Sequence, residues 1–456
     1  MVVETPRKLT TTRPETVDGL LRRYLERTPG SRTRNEQAKA VMPGGDTRTV
    51  AFHPPYPITV EKGSGCVITD VDGNEYIDVL NNYTSLIHGH AHPAITEAVA
   101  EQIQLGTNFA AAIESQTRLA SILVERIASV DKVRFTNSGT EATMNAARAA
   151  RGLTGRDLLV KMEGGYHGTY DDFEVSVHPP LKGAGTANEP IALLNTRGVP
   201  RNTTDSVDVV PYNNIAAAER KFAERGSSIA AVILEPVMGS AGMIPANREY
   251  LHALRELTTR HGALLIFDEV MSFRLEPGGV QEHYGVKPDL TTMAKIIGGG
   301  FPVGAFGGSD DVMSQFDPST GSPLWQSGTF NGNAVTTVAG AVAMDHYGPA
   351  EVRRINALGD SLRRGISRAL MARDVLAVVS GYGSFGAVHF DCETVENYRD
   401  AARGNQEIKR LVHLALMNEG VFCAPRLMFC TSTAMTGELI DEVVLRFGRA
   451  LDAVAG

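Results

Sequence analysis

Lys295 stands in the stretch Leu290-Thr-Thr-Met-Ala-Lys-Ile-Ile-Gly-Gly-Gly-Phe-Pro-Val-Gly304, one apolar run after Ala263-Leu-Leu-Ile-Phe-Asp-Glu-Val270. The glycines after it let a planar ligand approach the amine closely. A lysine so placed can condense with an aldehyde if burial or a nearby cation keeps part of it neutral. Alone, it could equally be a surface lysine at a strand end. Asp268 closes the run Leu264-Leu-Ile-Phe, where an unpaired carboxylate is costly to bury. A protonated ring nitrogen would be its partner, and the carboxylate would keep that ring electron-withdrawing. A capping Asp is the plainer alternative, weakened by the presence of Lys295.

Upstream, Asn137-Ser-Gly-Thr-Glu-Ala-Thr-Met-Asn-Ala-Ala-Arg reads as a strand end, a tight turn and a helix. Ser138, Gly139 and Thr140 would offer amides, hydroxyls and the positive end of the helix dipole to a phosphate. A plain N-cap uses the same residue types. Gly164-Gly-Tyr-His-Gly168 follows another apolar run; Tyr166 could stack on a flat ring from one side and Val270 press on the other, or Tyr166 could be a core aromatic. Glu235 ends a further apolar run before Pro236 and aims another acid at the same rim.

These residues need elements to hold them. Between about Asn81 and Gly348, short apolar runs (Lys132-Val-Arg-Phe-Thr, Leu158-Leu-Val-Lys-Met, Ala230-Ala-Val-Ile-Leu-Glu, Ala263-Leu-Leu-Ile-Phe-Asp) alternate with helical stretches. Alternation of this kind predicts βαβ units and a mostly parallel sheet flanked by helices, with ligands beyond the carboxyl ends of the strands. The Gly-, Asn- and Pro-rich segment from Leu181 to Asp205 reads as a long irregular connection on the surface or over the cleft. Before the alternation, the first dozen residues read as a mobile tail. Val17, Leu20, Leu21 and Leu25 then space a short amphipathic helix. Ile58-Thr-Val-Glu, Cys66-Val-Ile-Thr-Asp and Glu75-Tyr-Ile-Asp follow as strands, with a two-residue turn at Asp72-Gly73. After it, Leu376-Ala-Val-Val-Ser, Gly386-Ala-Val-His-Phe and Val421-Phe-Cys-Ala are expected to join that N-terminal sheet. The expected division is 1–80 and 349–456 for a small α+β domain built from both termini, and 81–348 for a large one.

Composition narrows the class. The 456 residues are 43% hydrophobic and 21% charged, ordinary for a globular chain, and the formal net charge of -8 argues against a nucleic-acid surface. The four cysteines, Cys66, Cys392, Cys423 and Cys430, lack metal-ligand spacing, so no metal site is expected and a reducing, cytoplasmic setting fits. No apolar run approaches the roughly 20 residues of a membrane helix, and no signal-peptide core is visible.

Taken together, the Asn-Ser-Gly-Thr-Glu-Ala, Phe-Asp-Glu-Val and Ala-Lys-Ile-Ile-Gly-Gly-Gly-Phe-Pro-Val-Gly motifs resemble those of fold type I, class III aminotransferases, from about Val41 to the C-terminus. The resemblance implies pyridoxal 5′-phosphate as cofactor. Lys295 would be the lysine that bonds it and shuttles the proton, Asp268 its pyridine partner, Ser138, Gly139 and Thr140 its phosphate site, and Tyr166 its cover. Gln326-Ser-Gly-Thr-Phe-Asn-Gly-Asn333 resembles the segment that reaches across a homodimer, where Thr329 would touch the partner subunit's phosphate.

Two branches of the group fit. Val41-Met-Pro-Gly-Gly45 and much of the core resemble glutamate-1-semialdehyde 2,1-aminomutase. Other features resemble β-amino-acid aminotransferases of the β-phenylalanine type. Arg426, amid apolar neighbours in Val421-Phe-Cys-Ala-Pro-Arg-Leu-Met-Phe429, wants an anion; that is either a substrate or 2-oxoglutarate carboxylate, or an internal salt-bridge partner. An arginine is not expected there in the aminomutase pattern. Arg48 matches the place where β-amino-acid aminotransferases bind the substrate carboxylate, or is an ordinary exposed arginine. The main expectation is therefore a transaminase passing the amino group of a β-amino acid, aromatic in the β-phenylalanine manner, to 2-oxoglutarate or pyruvate, with the aminomutase as alternative. A catalytically silent cofactor-binding protein is a third reading, disfavoured by the intact lysine, aspartate and phosphate turn. The substrate pocket would depend on residues such as Tyr83, Met271 and Met428.

Overall fold

Runs such as Leu158–Met162, Ile229–Leu234 and Leu290–Ala294 are buried at every position, as strands covered on both faces must be. A computed structural model describes residues 8–9, 13–321 and 324–455; most of the expected N-terminal tail lies outside them. The chain divides into two compact units. One comprises Pro93–Arg353 with Glu396–Ala402; the other comprises Met1–His92, Arg354–Val395 and Arg403–Gly456.

The larger unit is built on a seven-stranded sheet, ordered Lys132–Thr136, Gly304–Gly308, Leu290–Ala294, Leu264–Asp268, Ile229–Leu234, Leu158–Met162 and Val207–Val210. Gly304–Gly308 is antiparallel to both neighbours and the other pairings are parallel. The exception has a simple cause: residues 295–303 are too few for a parallel crossover, so the chain must return as a hairpin. Ligand-facing loops therefore follow Thr136, Met162, Leu234, Asp268 and Ala294. The helix Gly139–Thr154 lies on the sheet through Ala146, Ala147, Ala149 and Ala150, packed with Phe306 and Ile266. The helix Ala334–Asp345 presses on the turn Lys295–Gly298. A Cβ at Gly340 would stand 3.1 Å from the Ile297 carbonyl carbon, and one at Gly299 only 2.6 Å from that of Ala339. Small residues on both sides let a helix back the lysine turn directly.

In the smaller unit the N-terminal helix is Pro14–Arg27, burying Leu20 and Tyr24, and an unforeseen second helix, Pro29–Lys39, follows. That helix is polar along its length and shows no apolar stripe. Asp72, in the expected turn, caps it by accepting the Gly30 amide at 2.5 Å and the Ser31 amide at 2.9 Å. The first strand starts at Val60, two residues after the expected Ile58. The expectation that the C-terminal strands all join the N-terminal sheet needs correcting. Only Val421–Phe422 does, parallel to Glu75–Asp78. Ala377–Ser380, Phe385–Phe390 and Met428–Cys430 form a separate antiparallel sheet, because a tight turn containing Gly381 and Gly383 folds the first two onto each other. Both sheets share a core that includes Leu362, Ile366, Val388, Val412, Phe429 and Phe447.

Gly340→Val should force the helix off the lysine turn and lower stability by about 1–3 kcal/mol in urea titration. Gly348→Ala, with nothing within 4 Å of the new methyl, should stay within about 0.5 kcal/mol of the parent.

Candidate active site

Strand geometry alone delivers several site residues to one end of the larger sheet. Lys295 directly follows Leu290–Ala294 and adopts a left-handed backbone, φ 53°, a conformation a lysine holds only when its surroundings dictate it. Burial pushes its amine below the ordinary lysine range, while the carboxylates of Asp268 and Glu235 nearby push the other way. Burial is the larger effect, so this amine gives up its proton more readily than an ordinary lysine.

Asp268, at the end of the adjacent strand, is 3% exposed. Its Oδ1 accepts the Val270 amide at 3.0 Å and the Thr292 hydroxyl at 3.2 Å, and Oδ2 pairs with His167 Nδ1 at 2.8 Å. Each carboxylate oxygen can accept more than one bond, so room remains for a further donor. His167 is fully buried, edge-on to Phe173, and burial pushes its imidazole below the usual range. A neutral ring donating from Nδ1 to Asp268 fits, with Nε2 left without a hydrogen-bond partner among the described residues. In the sequence His167 is one residue of a glycine-rich turn, with no role expected of it. The available signal was an imidazole beside Tyr166 in a turn already aimed at the site.

Ser138 caps Gly139–Thr154, its hydroxyl accepting the Glu141 amide at 3.2 Å, while Glu141 accepts the Asn137 amide at 2.7 Å. The Gly139 and Thr140 amides, ahead of the first intrahelical bond, are then available to an anion. A Cβ on Gly139 would stand 3.1 Å from Val270 Cγ1 and 3.6 Å from Ala294 Cβ, so this helix start, Val270 and the lysine turn lie together. The same helix latches the Tyr166 turn: Thr143 donates to the His167 carbonyl at 2.6 Å, and Thr140 Oγ1 accepts the Thr169 amide at 3.2 Å. Gly168, φ 89°, is glycine because a Cβ would stand 2.6 Å from the Thr140 Cα.

Tyr166 is 40% exposed, and its amide donates to Glu235 Oε2 at 3.1 Å. Glu235 Oε1 accepts the Gly239 amide at 3.0 Å, so its carboxylate is engaged as a strut for two loop backbones. Burial, with Asp268 adding to it, pushes Glu235 up to about 8. Thr329 is exposed and its carbonyl accepts from Asn108 at 2.9 Å; from the same segment it is Asn331 that meets Asn137, at 2.8 Å. The two arginines belong to the smaller unit. There Arg48 donates to Asn82 at 2.7 Å, Tyr83 donates to the Val50 carbonyl at 2.7 Å, and both Arg48 and Arg426 act electrostatically on Tyr83. Asn81–Thr84 carry φ values of 49°, 48°, 53° and 75°, a left-handed turn held by Asp78 accepting the Leu80 and Asn81 amides. Among the described residues no cluster of His, Cys, Asp and Glu could hold a metal ion.

An electrophile-seeking amine, a buried carboxylate with spare acceptor capacity and a helix N-terminus between them suit a ligand that carries an aldehyde, a ring nitrogen and a phosphate. Comparison with known proteins agrees. Residues 50–451 match the family model for class-III aminotransferases. Glutamate-1-semialdehyde 2,1-aminomutase of Methanothermobacter thermautotrophicus is 40% identical over 90% of this chain and 95% of its own length. Six further curated relatives of the same name are 36–38% identical. Among solved structures, an omega-transaminase from Sphaerobacter thermophilus matches with TM-score 0.91 at 45% identity, covering 95% of this chain and 100% of that one. A β-phenylalanine aminotransferase from Variovorax paradoxus matches with TM-score 0.86 at 35% identity, covering 95% and 96%.

The expected β-amino-acid transaminase is overturned by the uniform naming of those seven curated relatives. It had leaned on Arg426 wanting an external anion. That residue sits half-buried between the strands Val421–Phe422 and Met428–Cys430, beside Tyr83 and with interactions inside its own unit. An arginine there does not separate the branches.

Glu235 titrates near 4.5 when unfolded and near 8 when folded, so the folded state binds more protons in between and stability falls as pH rises through that window. Glu235→Gln removes this term. Across pH 5 to 8 the urea stability of the variant apoprotein should gain on the parent by about 1 kcal/mol per pH unit. Parallel curves would show that Glu235 is not the titrating group.

Proposed function

The chain belongs to the class III aminotransferases, a fold type I family that uses pyridoxal 5′-phosphate, and from that premise we propose that it is a glutamate-1-semialdehyde 2,1-aminomutase. The reading rests on the shared name of the curated relatives across about nine-tenths of the chain. In this reaction the amino group leaves one carbon of the substrate and is returned to the neighbouring carbon of the same molecule. No external keto acid is consumed.

Bound pyridoxal phosphate supplies the electron sink for the carbon that carries the amino group. The chain's residues do the rest. Lys295 would bond the cofactor aldehyde and, when its amine is free, carry a proton between carbons, a role that burial favours by lowering its hold on its own proton. Asp268 holds a proton at the ring nitrogen, and His167 fixes the orientation of its carboxylate. Ser138, Gly139 and Thr140 hold the phosphate. Val270 would lie on one side of the ring and Tyr166, its amide held by Glu235, on the other.

A homodimer accompanies this reading, with Thr329 reaching the partner subunit's phosphate. Trp325, 82% exposed, and Phe330, 61% exposed, flank Thr329 and support a partner surface there. The four cysteines form no disulfide with one another, which supports a cytoplasmic setting. Among the described residues no helix is long and apolar enough to cross a membrane.

Holoenzyme mixed with glutamate 1-semialdehyde and no keto acid should form 5-amino-4-oxopentanoate to completion, followed by proton NMR. Conversion that stops after one equivalent per site, or begins only when 2-oxoglutarate or pyruvate is added, would overturn the reading. Lys295→Ala should cut the rate by at least about 10³-fold, the scale of losing a positioned base that also bonds the cofactor.

A further inference from the structure

Just before the Tyr166 turn, Glu163 is 2% exposed, at the end of the strand Leu158–Met162. A carboxylate so deep needs a cation. It receives one from far along the chain: Arg399 donates from Nε to Oε2 at 2.7 Å and from Nη2 to Oε1 at 2.9 Å, a two-point fork. Arg399 is itself 8% exposed and spends its other donors on the Ala184 carbonyl at 2.7 Å and the Gly185 carbonyl at 3.0 Å. Its neighbour Tyr398 donates to the Pro179 carbonyl at 2.7 Å, and its ring lies where a Cβ on Gly164 would come within 2.6 Å of Cγ. Both residues lie in Glu396–Ala402, the short C-terminal segment that belongs to the larger unit. This segment therefore ties the long connection after Val177 to the root of the turn.

The turn is gripped at successive residues. The Gly164 amide donates to the Ser176 carbonyl at 2.9 Å and the Gly165 amide to that of Met162 at 3.0 Å. The Gly165 carbonyl accepts from Lys161 at 2.8 Å, and the Tyr166 amide donates to Glu235 at 3.1 Å. We propose that Arg399 is a positioning residue of the active site: through its fork on Glu163 it sets the Gly164–His167 backbone and so fixes where Tyr166 and His167 stand against the cofactor. The proposal rests on the placement of those two residues at the cofactor, and concerns a contact that the reaction chemistry itself does not use. A lysine cannot reproduce it, because an ammonium carries the charge without the planar fork.

The test compares Arg399→Gln, Arg399→Lys, the double variant Glu163→Gln with Arg399→Gln, and Tyr166→Ala. The readouts are amide hydrogen exchange of the apoprotein and release of pyridoxal phosphate from the holoenzyme into a trapping protein. Arg399→Gln should speed exchange at Gly164, Gly165 and Tyr166 by about tenfold or more, leave the strand Leu264–Asp268 unchanged, and speed cofactor release by a similar factor. Arg399→Lys, which keeps the charge and serves if the glutamine variant fails to fold, should fall between. The double variant, which leaves no unpaired buried charge, should recover part of the loss. Unchanged exchange and release in both single Arg399 variants would overturn the proposal. If Tyr166→Ala alone speeds release, only the positioning claim fails; if it too changes nothing, the placement of Tyr166 at the cofactor fails with it.

Discussion

Burying the Asp268 carboxylate at the end of a central strand sets the requirements that the neighbouring elements meet. It is satisfied from three directions: the amide of its own loop, the hydroxyl of Thr292 on the next strand, and the imidazole of His167 from a turn two strands away. Each bond fixes a different element relative to the carboxylate. Thr292 registers the strand that leads to Lys295, and His167 draws in the turn that carries Tyr166. Removing Asp268 would leave these groups buried and unpaired, which is why so much local order converges on one side chain.

Burial also prepares the amine, although burial alone does not choose it. Lys161, in the same unit, is 0% exposed, deeper than the half-buried Lys295, and is pushed down to about 7. Its amine, however, is held by the carbonyls of Gly165 and Val175. Lys295 instead stands near Asp268 and Glu235, on a left-handed turn backed by the small residues of Ala334–Asp345. One lysine braces the backbone of a loop, and the other is left for chemistry.

What could be read from the sequence followed from local rules. Continuous apolar runs marked the covered strands, and the Ser138-Gly-Thr turn marked a helix start. Lys295 and Asp268 stood out because polar groups at the ends of such runs need partners. Pairings set by distance along the chain were out of reach. The Arg399–Glu163 fork spans 236 residues. The helix Pro29–Lys39 is stabilised by a cap supplied from Asp72, and no apolar stripe announced it. The separate sheet of Ala377–Ser380, Phe385–Phe390 and Met428–Cys430 depends on which edge a strand finds, which alternation does not encode. Substrate choice was misread from Arg426, since a single arginine shows a need for an anion and not whether substrate or protein provides it.

The most direct test of the account is to reduce the holoenzyme with borohydride, digest it, and locate the pyridoxyl-modified lysine by mass spectrometry. The account predicts modification at Lys295 alone. Label on Lys161, a fully buried lysine of the same unit with lowered proton affinity, would contradict it, as would label spread over surface lysines with Lys295 unmodified.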